Sequence, residues 1–363
     1  AASPAPMPPR KRVYSGIQPT AVMTIGNYFG AVQNWVRLQD ECDCVYCVVD
    51  LHAMTGSYDP EGLRRASREM FVSLLAAGID PERTTVYIQS TVPEQTELCW
   101  MLATLTSLGD LSRMTQFKEK SGLLKGELAE DSGTFVSAGL LFYPVLQAAD
   151  ILAYRSDCVP VGQDQSQHLE LSRGIARRFN SRFGYLFPEP ETLHTPVTKV
   201  LSTADPTRKM SKSLGPRHYI GLFEEEDSIR KKIRSAVTDS GMPAAGGAAG
   251  GSGEHGGDRQ ASPGIENLLT MLTACGHADE AEQMRADYFA GTLRYVDLKG
   301  RTADALVALT TEMRERRADI LRRETDLDGR IMQMAGKARA MAGETLALAR
   351  ERLGVFQPQG AVP

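Results

Sequence analysis

Long apolar runs are missing from this sequence: none approaches the roughly 20 residues a helix needs to cross a bilayer, so no membrane partner is expected. Charge of one sign is scarce as well. With 41 Lys and Arg against 45 Asp and Glu, the formal net charge is -4, and contact with a polyanion must rest on local basic patches. Six cysteines among 363 residues make no disulfide framework and fit a reducing compartment. Cys42, Cys44 and Cys47 with nearby His52 are the one grouping that reads as metal ligands. No second cluster has zinc-like spacing, however, and residues 44–50 read as a buried parallel strand, where a free thiol is a common small hydrophobe. The first turn's glycines, Gly16, Gly26 and Gly30, do not have the G-x-G-x-x-G spacing, and no P-loop occurs, which argues against a nicotinamide dehydrogenase or a Walker-type ATPase.

What is present is ordinary for a globular chain with room for two domains: 42% hydrophobic and 24% charged residues. Residues 1–11 are rich in Ala and Pro and read as a disordered tail. From Val13 onward, strand alternates with helix. Strands are expected at residues 12–15, 44–50 and 85–89, and helices at 27–40 and 61–77, the latter opened by Asp59-Pro60. This order predicts an α/β fold with a parallel sheet whose ligands bind at the carboxyl ends of its strands. Residues 94–105 and 137–154 read as inserted helices, joined by a looser connection at 122–133. A return strand near 158–161 and a helix at 164–179 follow. Nine glycines fall between Gly241 and Gly264, which marks a flexible insertion. Beyond it the pattern is almost wholly helical to residue 354. The expected division is a sheet domain at 12–219 with inserted helices at about 94–157 and a mobile loop at 207–215, a helical domain at 220–355 carrying the insertion 241–264, and a tail at 356–363.

Two short motifs carry chemistry. Thr24-Ile25-Gly26-Asn27 opens a helix after the glycine-bearing turn at Gly16, and a helix amino end favours phosphate. Lys209-Met210-Ser211-Lys212-Ser213 sets two ammonium groups three residues apart between small hydroxyls, which suits a loop that holds pyrophosphate as charge separates. Together they suggest a grip on a nucleoside triphosphate.

These motifs stand in order with Tyr143-Pro144-Val145-Leu146-Gln147-Ala148-Ala149-Asp150-Ile151-Leu152 and Val159-Pro160-Val161-Gly162-Gln163-Asp164-Gln165. In that sequence of blocks the chain resembles the tryptophanyl-tRNA synthetases, over nearly its whole length outside the tail and the insertion. Met114-Thr115-Gln116-Phe117-Lys118 and Ala236-Val237-Thr238-Asp239-Ser240 are two further blocks of the same kind. The resemblance implies a class I synthetase of bacterial or organellar type. It implies a Rossmann-type catalytic domain, an all-α C-terminal anticodon-binding domain and a homodimer formed through the inserted helices. The implied reaction joins L-tryptophan to ATP as tryptophanyl-adenylate, releases pyrophosphate and passes the amino acid to the terminal ribose of tRNA(Trp).

Carried onto this sequence, the catalytic group is Thr24, Lys209, Ser211 and Lys212. The ATP-binding set adds Gln18, Gly26, Asn27, Gly162, Asp164, Met210 and Ser213. Tryptophan falls to Tyr14, His52, Tyr143, Gln147, Asp150 and Gln165, with Asp150 as acceptor for the indole N–H. Mg2+ is expected to travel with ATP, on triphosphate oxygens and water, with no protein side chain as ligand. Two departures from the family pattern stand out: Gln163 replaces an acidic residue, and Gln147 sits where many bacterial relatives carry methionine.

A tryptophan carboxylate is already nucleophilic at neutral pH, so the reaction asks for orientation and charge stabilisation, and no general base announces itself. The rivals are a tyrosyl-tRNA synthetase, which shares fold and chemistry, and a catalytically dead tRNA-binding homologue. Arg314, Arg316, Arg317, Arg322, Arg323, Lys337, Arg339, Arg350 and Arg352 offer charge for tRNA, although glutamates are interleaved among them. The Ala/Pro-rich start without a methionine suggests a eukaryotic organelle after leader removal, with a bacterial cytoplasm as the alternative.

Overall fold

The segment Asp43-Cys44-Val45-Tyr46-Cys47-Val48 has β-branched and aromatic residues without alternation, and it becomes a strand buried along nearly its whole length. The computed structural model describes residues 10–115, 117, 137–160, 166–196, 198–238 and 261–356. In it this strand, β2 (Asp43–Val48), lies beside β1 (Arg12–Ile17), with Arg12 facing Asp43 and Ile17 facing Val48. The sheet continues through β3 (Thr85–Ile88), β4 (Cys158–Pro160) and β5 (Glu191–Leu193) in the order β3-β2-β1-β4-β5, and every pairing is parallel. Strand β5 is an addition to the expected set. Its residues are exposed or half-buried, so no apolar run betrays it.

The chain divides into two compact units. One unit comprises residues 1–21, 35–195 and 321–363; the other comprises 22–34 and 196–320. The first unit takes back the last helix because Leu327–Leu353 presents a stripe of small residues. Ala335, Ala338, Ala342 and Ala349 are all at most 1% exposed and pack with Tyr87, Leu98 and Leu102. Arg339 grips Glu94 at 2.7 Å, Arg155 grips Glu344 at 2.6 Å, and Arg350 pairs with Glu97.

Within that unit the Pro60–Ala77 helix starts where the Asp59 carboxylate accepts from Gly62 N–H at 2.6 Å, and it stops at Gly78, whose φ of +115° suits glycine. The Ala138–Leu152 helix is capped by Ser137 and buries Asp150 among Ala148, Ala149, Ile151 and Leu152. A buried carboxylate in that company must be hydrogen-bonded.

In the second unit, Ile25 N–H donates to Ile220 O at 3.0 Å and Leu222 N–H to Met23 O at 2.8 Å, so residues 22–34 are stitched to the 220–222 stretch. A helical segment follows, Ile25–Asn27 and then Gln33–Leu38, with a π-helical turn Tyr28–Val32 between them. Asn267 pins the unit further. Its side chain accepts from Leu201 N–H at 2.8 Å and donates to Leu201 O at 3.0 Å. The helix bearing Asn267 spans Pro263–Ala274. It therefore absorbs the last two residues of the expected flexible insertion, and Gly264 lies directly against the Val237 and Thr238 backbone. The rest of that insertion from residue 241 to 260, the connection at 122–133 and residues 357–363 of the tail lie outside the described residues.

Candidate active site

In the second unit, the turn and the basic loop come together. Thr24 is 4% exposed, and its hydroxyl accepts from Asn27 N–H at 3.2 Å, while Asn27 Oδ1 accepts from Thr24 N–H at 3.0 Å and from the Thr24 hydroxyl at 2.9 Å. This reciprocal cap fixes the turn. It also means that the Thr24 hydroxyl and the Thr24 and Asn27 N–H groups are spent within the turn.

Gly26 lies against Met210: a Cβ there would sit 3.5 Å from both Cβ and Sδ of Met210, in ordinary van der Waals contact. Met210, 6% exposed, packs on the turn, and its N–H donates to Val200 O at 3.1 Å. Lys212 reaches back to donate to Val22 O at 2.8 Å, and burial lowers its pKa from the ordinary lysine value. Ser211 caps the short turn Lys212–Leu214, with Ser211 and Ser213 hydroxyls 2.8 Å apart, and Gly215 closes it at φ +100°. Lys209 is exposed, and neither lysine forms an ion pair among the described residues. Two ammonium groups thus flank the loop.

In the first unit, Tyr143, Gln147 and Asp150 share one helix face at spacings of four and three residues. Asp150, 1% exposed, is the centre of a hydrogen-bonded cluster. His52 Nε2 lies 2.7 Å from Oδ2. Gln89 Nε2 donates to Oδ1 at 2.8 Å and to Oδ2 at 2.9 Å, and Gln95 Nε2 donates to Oδ1 at 2.8 Å. Tyr143 meets the His52 ring edge-on with centroids 6.2 Å apart, and its hydroxyl lies 2.7 Å from His168 Nε2. Burial pushes the Tyr143 phenol up to about 12. Tyr14 is buried and stacks on Tyr154 at 5.9 Å; desolvation holds its phenol well above the usual value.

The expected residues are therefore distributed as two groups: Tyr14, His52, Tyr143, Gln147 and Asp150 in one unit, and Thr24, Gly26, Asn27, Lys209, Met210, Ser211, Lys212 and Ser213 in the other. Gln18 is exposed just past β1. Gly162, Gln163, Asp164 and Gln165 lie outside the described residues. Gln89, Gln95 and His168 escaped the sequence reading. Gln89 and Gln95 carried one usable signal, an amide placed where the neighbouring residues Tyr87, Ile88, Val92 and Leu98 are apolar.

The metal reading of the cysteines fails on geometry. Cys44 and Cys47 stand three apart on a strand and so point to opposite faces, burial pushes the Cys44 thiol up to about 11, and His52 is committed to Asp150. Among the described residues no group of three or more His, Cys, Asp or Glu side chains can hold a metal ion.

An all-parallel sheet in the order β3-β2-β1-β4-β5 is the Rossmann-type arrangement. The family model "tRNA synthetases class I (W and Y)" matches residues 8–311. The chain belongs to that family. The tryptophan--tRNA ligase of Clostridium acetobutylicum is 45% identical over 268 residues, 73% of this chain and 74% of its own length. The crystal structure of tryptophanyl-tRNA synthetase from Mycoplasma pneumoniae superposes with a TM-score of 0.77 at 32% identity, over 97% of this chain and 100% of that one. The Campylobacter jejuni tryptophanyl-tRNA synthetase, solved with ADP and tryptophan, gives a TM-score of 0.74 at 32% identity, over 94% and 99% of the two chains.

Proposed function

We propose that this chain activates L-tryptophan with ATP and transfers the tryptophanyl group to tRNA(Trp). The observation that carries the reading is the seating of Met210 on Gly26, which makes the capped turn and the two-lysine loop one phosphate-facing surface. The tryptophan carboxylate attacks the α-phosphorus, the bond to the β-phosphate oxygen breaks, and pyrophosphate leaves. Lys209 and Lys212 stabilise the departing charge. Asp150 takes the indole N–H, and Tyr143 and Gln147 line the same helix face.

Mg2+ bound to ATP offsets triphosphate charge. Its ligands are phosphate oxygens and water.

A homodimer is supported by exposed apolar side chains on the inserted helices: Trp100 is 71% exposed, Leu108 68% and Phe142 39%. For tRNA, several expected arginines are already engaged. Arg314 donates to Glu224 O at 2.6 Å, Arg316 pairs with Glu312 at 2.6 Å, and Arg339 and Arg350 hold Glu94 and Glu97. Phosphate contact by these four requires re-pairing. The relatives named above are bacterial, and the organellar address receives no support from them.

The retention of both loop lysines argues against a dead homologue. ATP–pyrophosphate exchange with tryptophan and with tyrosine tests the reading: exchange is expected with tryptophan, and exchange driven by tyrosine alone refutes it.

A further inference from the structure

Asp150 cannot aim itself. A carboxylate on a helix rotates about its last torsion, and its directional acceptor sites are useful to a ring N–H only in one orientation. Three donors fix that orientation here, and two of them, Gln89 and Gln95, are 0% exposed. Gln89 is itself oriented from behind, because its Oε1 accepts from Leu51 N–H at 3.1 Å. That contact leaves only the NH2 end for Asp150, and it ties the carboxylate to the turn that carries His52. Gln95 turns its NH2 both to Asp150 and to the Tyr87 hydroxyl, at 2.8 and 3.0 Å. Its buried Oε1 has no hydrogen-bond partner. A glutamine kept only for packing would have both ends satisfied; this one leaves an acceptor unmet while pointing its donor at the carboxylate.

We propose that Gln89 and Gln95 are positioning residues for tryptophan selection: their amides clamp the Asp150 carboxylate in the one orientation in which it takes the indole N–H, in place of one of the contacts it makes here. The proposal rests on the reading that Asp150 receives that N–H. Neither glutamine touches the reacting atoms, so loss of the clamp acts on recognition of the ring nitrogen and leaves the phosphate chemistry alone.

The test compares tryptophan with β-(benzothiophen-3-yl)alanine, in which sulfur replaces the ring N–H, by amino-acid-dependent ATP–pyrophosphate exchange. The wild-type enzyme is expected to prefer tryptophan strongly. Gln95→Met is expected to lower kcat/KM for tryptophan by about 10- to 100-fold, chiefly through KM, while the sulfur analogue stays within about twofold, so the preference narrows. Gln89→Met is expected to narrow it likewise and serves if the first variant does not fold. Affinity for ATP should be unchanged in both. If the wild-type enzyme does not distinguish the two amino acids, the Asp150 reading falls and the clamp with it. If the wild-type enzyme does distinguish them and the variants lose activity on both equally, the clamp alone is overturned.

Discussion

Replacing Lys212 with alanine separates what this side chain does for the fold from what it does for phosphate. The half-buried ammonium makes one described hydrogen bond, to Val22 O at 2.8 Å, and Val22 is 37% exposed. On truncation that carbonyl returns to water, so the stability cost should stay below about 1 kcal/mol, a shift of no more than about 2 °C in Tm. The chemical cost is much larger. One well-aimed donor facing developing negative charge contributes about 3 to 4 kcal/mol, or 10²- to 10³-fold in rate. Lys212→Ala should therefore slow single-turnover adenylate formation at least about a hundredfold at saturating ATP and tryptophan, with the thermal melt almost unmoved. A drop of less than about tenfold would refute the assigned role. A large fall in Tm with the same rate loss would mean that the loop anchor at Val22, and not charge stabilisation, is the working contact.

Three further outcomes are expected. Burial lowers the Lys212 pKa, so between its folded and unfolded values the unfolded chain binds more protons, and this group's contribution to stability rises with pH there. In activity the sign is opposite: kcat/KM for ATP should fall on an alkaline limb below the ordinary lysine value of 10.5, and a limb at or above that value would contradict the burial. Gly264→Ala should destabilise the second unit by more than about 3 kcal/mol in a urea melt, because its Cβ would lie 2.6 Å from Thr238 O and closer still to Val237 O, both backbone atoms; a cost under about 1 kcal/mol would rule out that packing. Tyr14→Phe should change stability by less than about 1 kcal/mol, with KM for tryptophan unchanged, because the buried Tyr14 hydroxyl has only the Cys47 thiol, a weakly bonding group, beside it. A clear destabilisation would show that the hydroxyl has a stronger partner than that thiol.

The parts of the fold that could be read from sequence were those where one physical signal dominates. Strand β2 is apolar along nearly its whole length, and the Asp59-Pro60 start of its following helix is a capping signal that needs no tertiary help. Strand β5 was invisible because Glu191-Thr192-Leu193 is half-exposed and held only by pairing with β4. The two units depend on long-range packing: an alanine stripe near the end of the chain seals a core begun at β1, and no local pattern says where such a stripe will dock. The site divides in the same way. Short motifs named the turn, the two-lysine loop and Asp150. Gln89 and Gln95 have meaning only through Asp150, which lies 61 and 55 residues away.

The late return of the Leu327–Leu353 helix also bears on the order in which the protein comes off the ribosome. Residues 22–34 and 196–320 are complete once Ile320 has emerged, so the second unit can close early. The sheet unit must wait. Until Ala335, Ala338, Ala342 and Ala349 are synthesised, the surface around Tyr87, Leu98 and Leu102 that they cover is bare. Every nascent chain thus passes through a stage with one unit formed and the other exposing part of its core, the stage most open to aggregation.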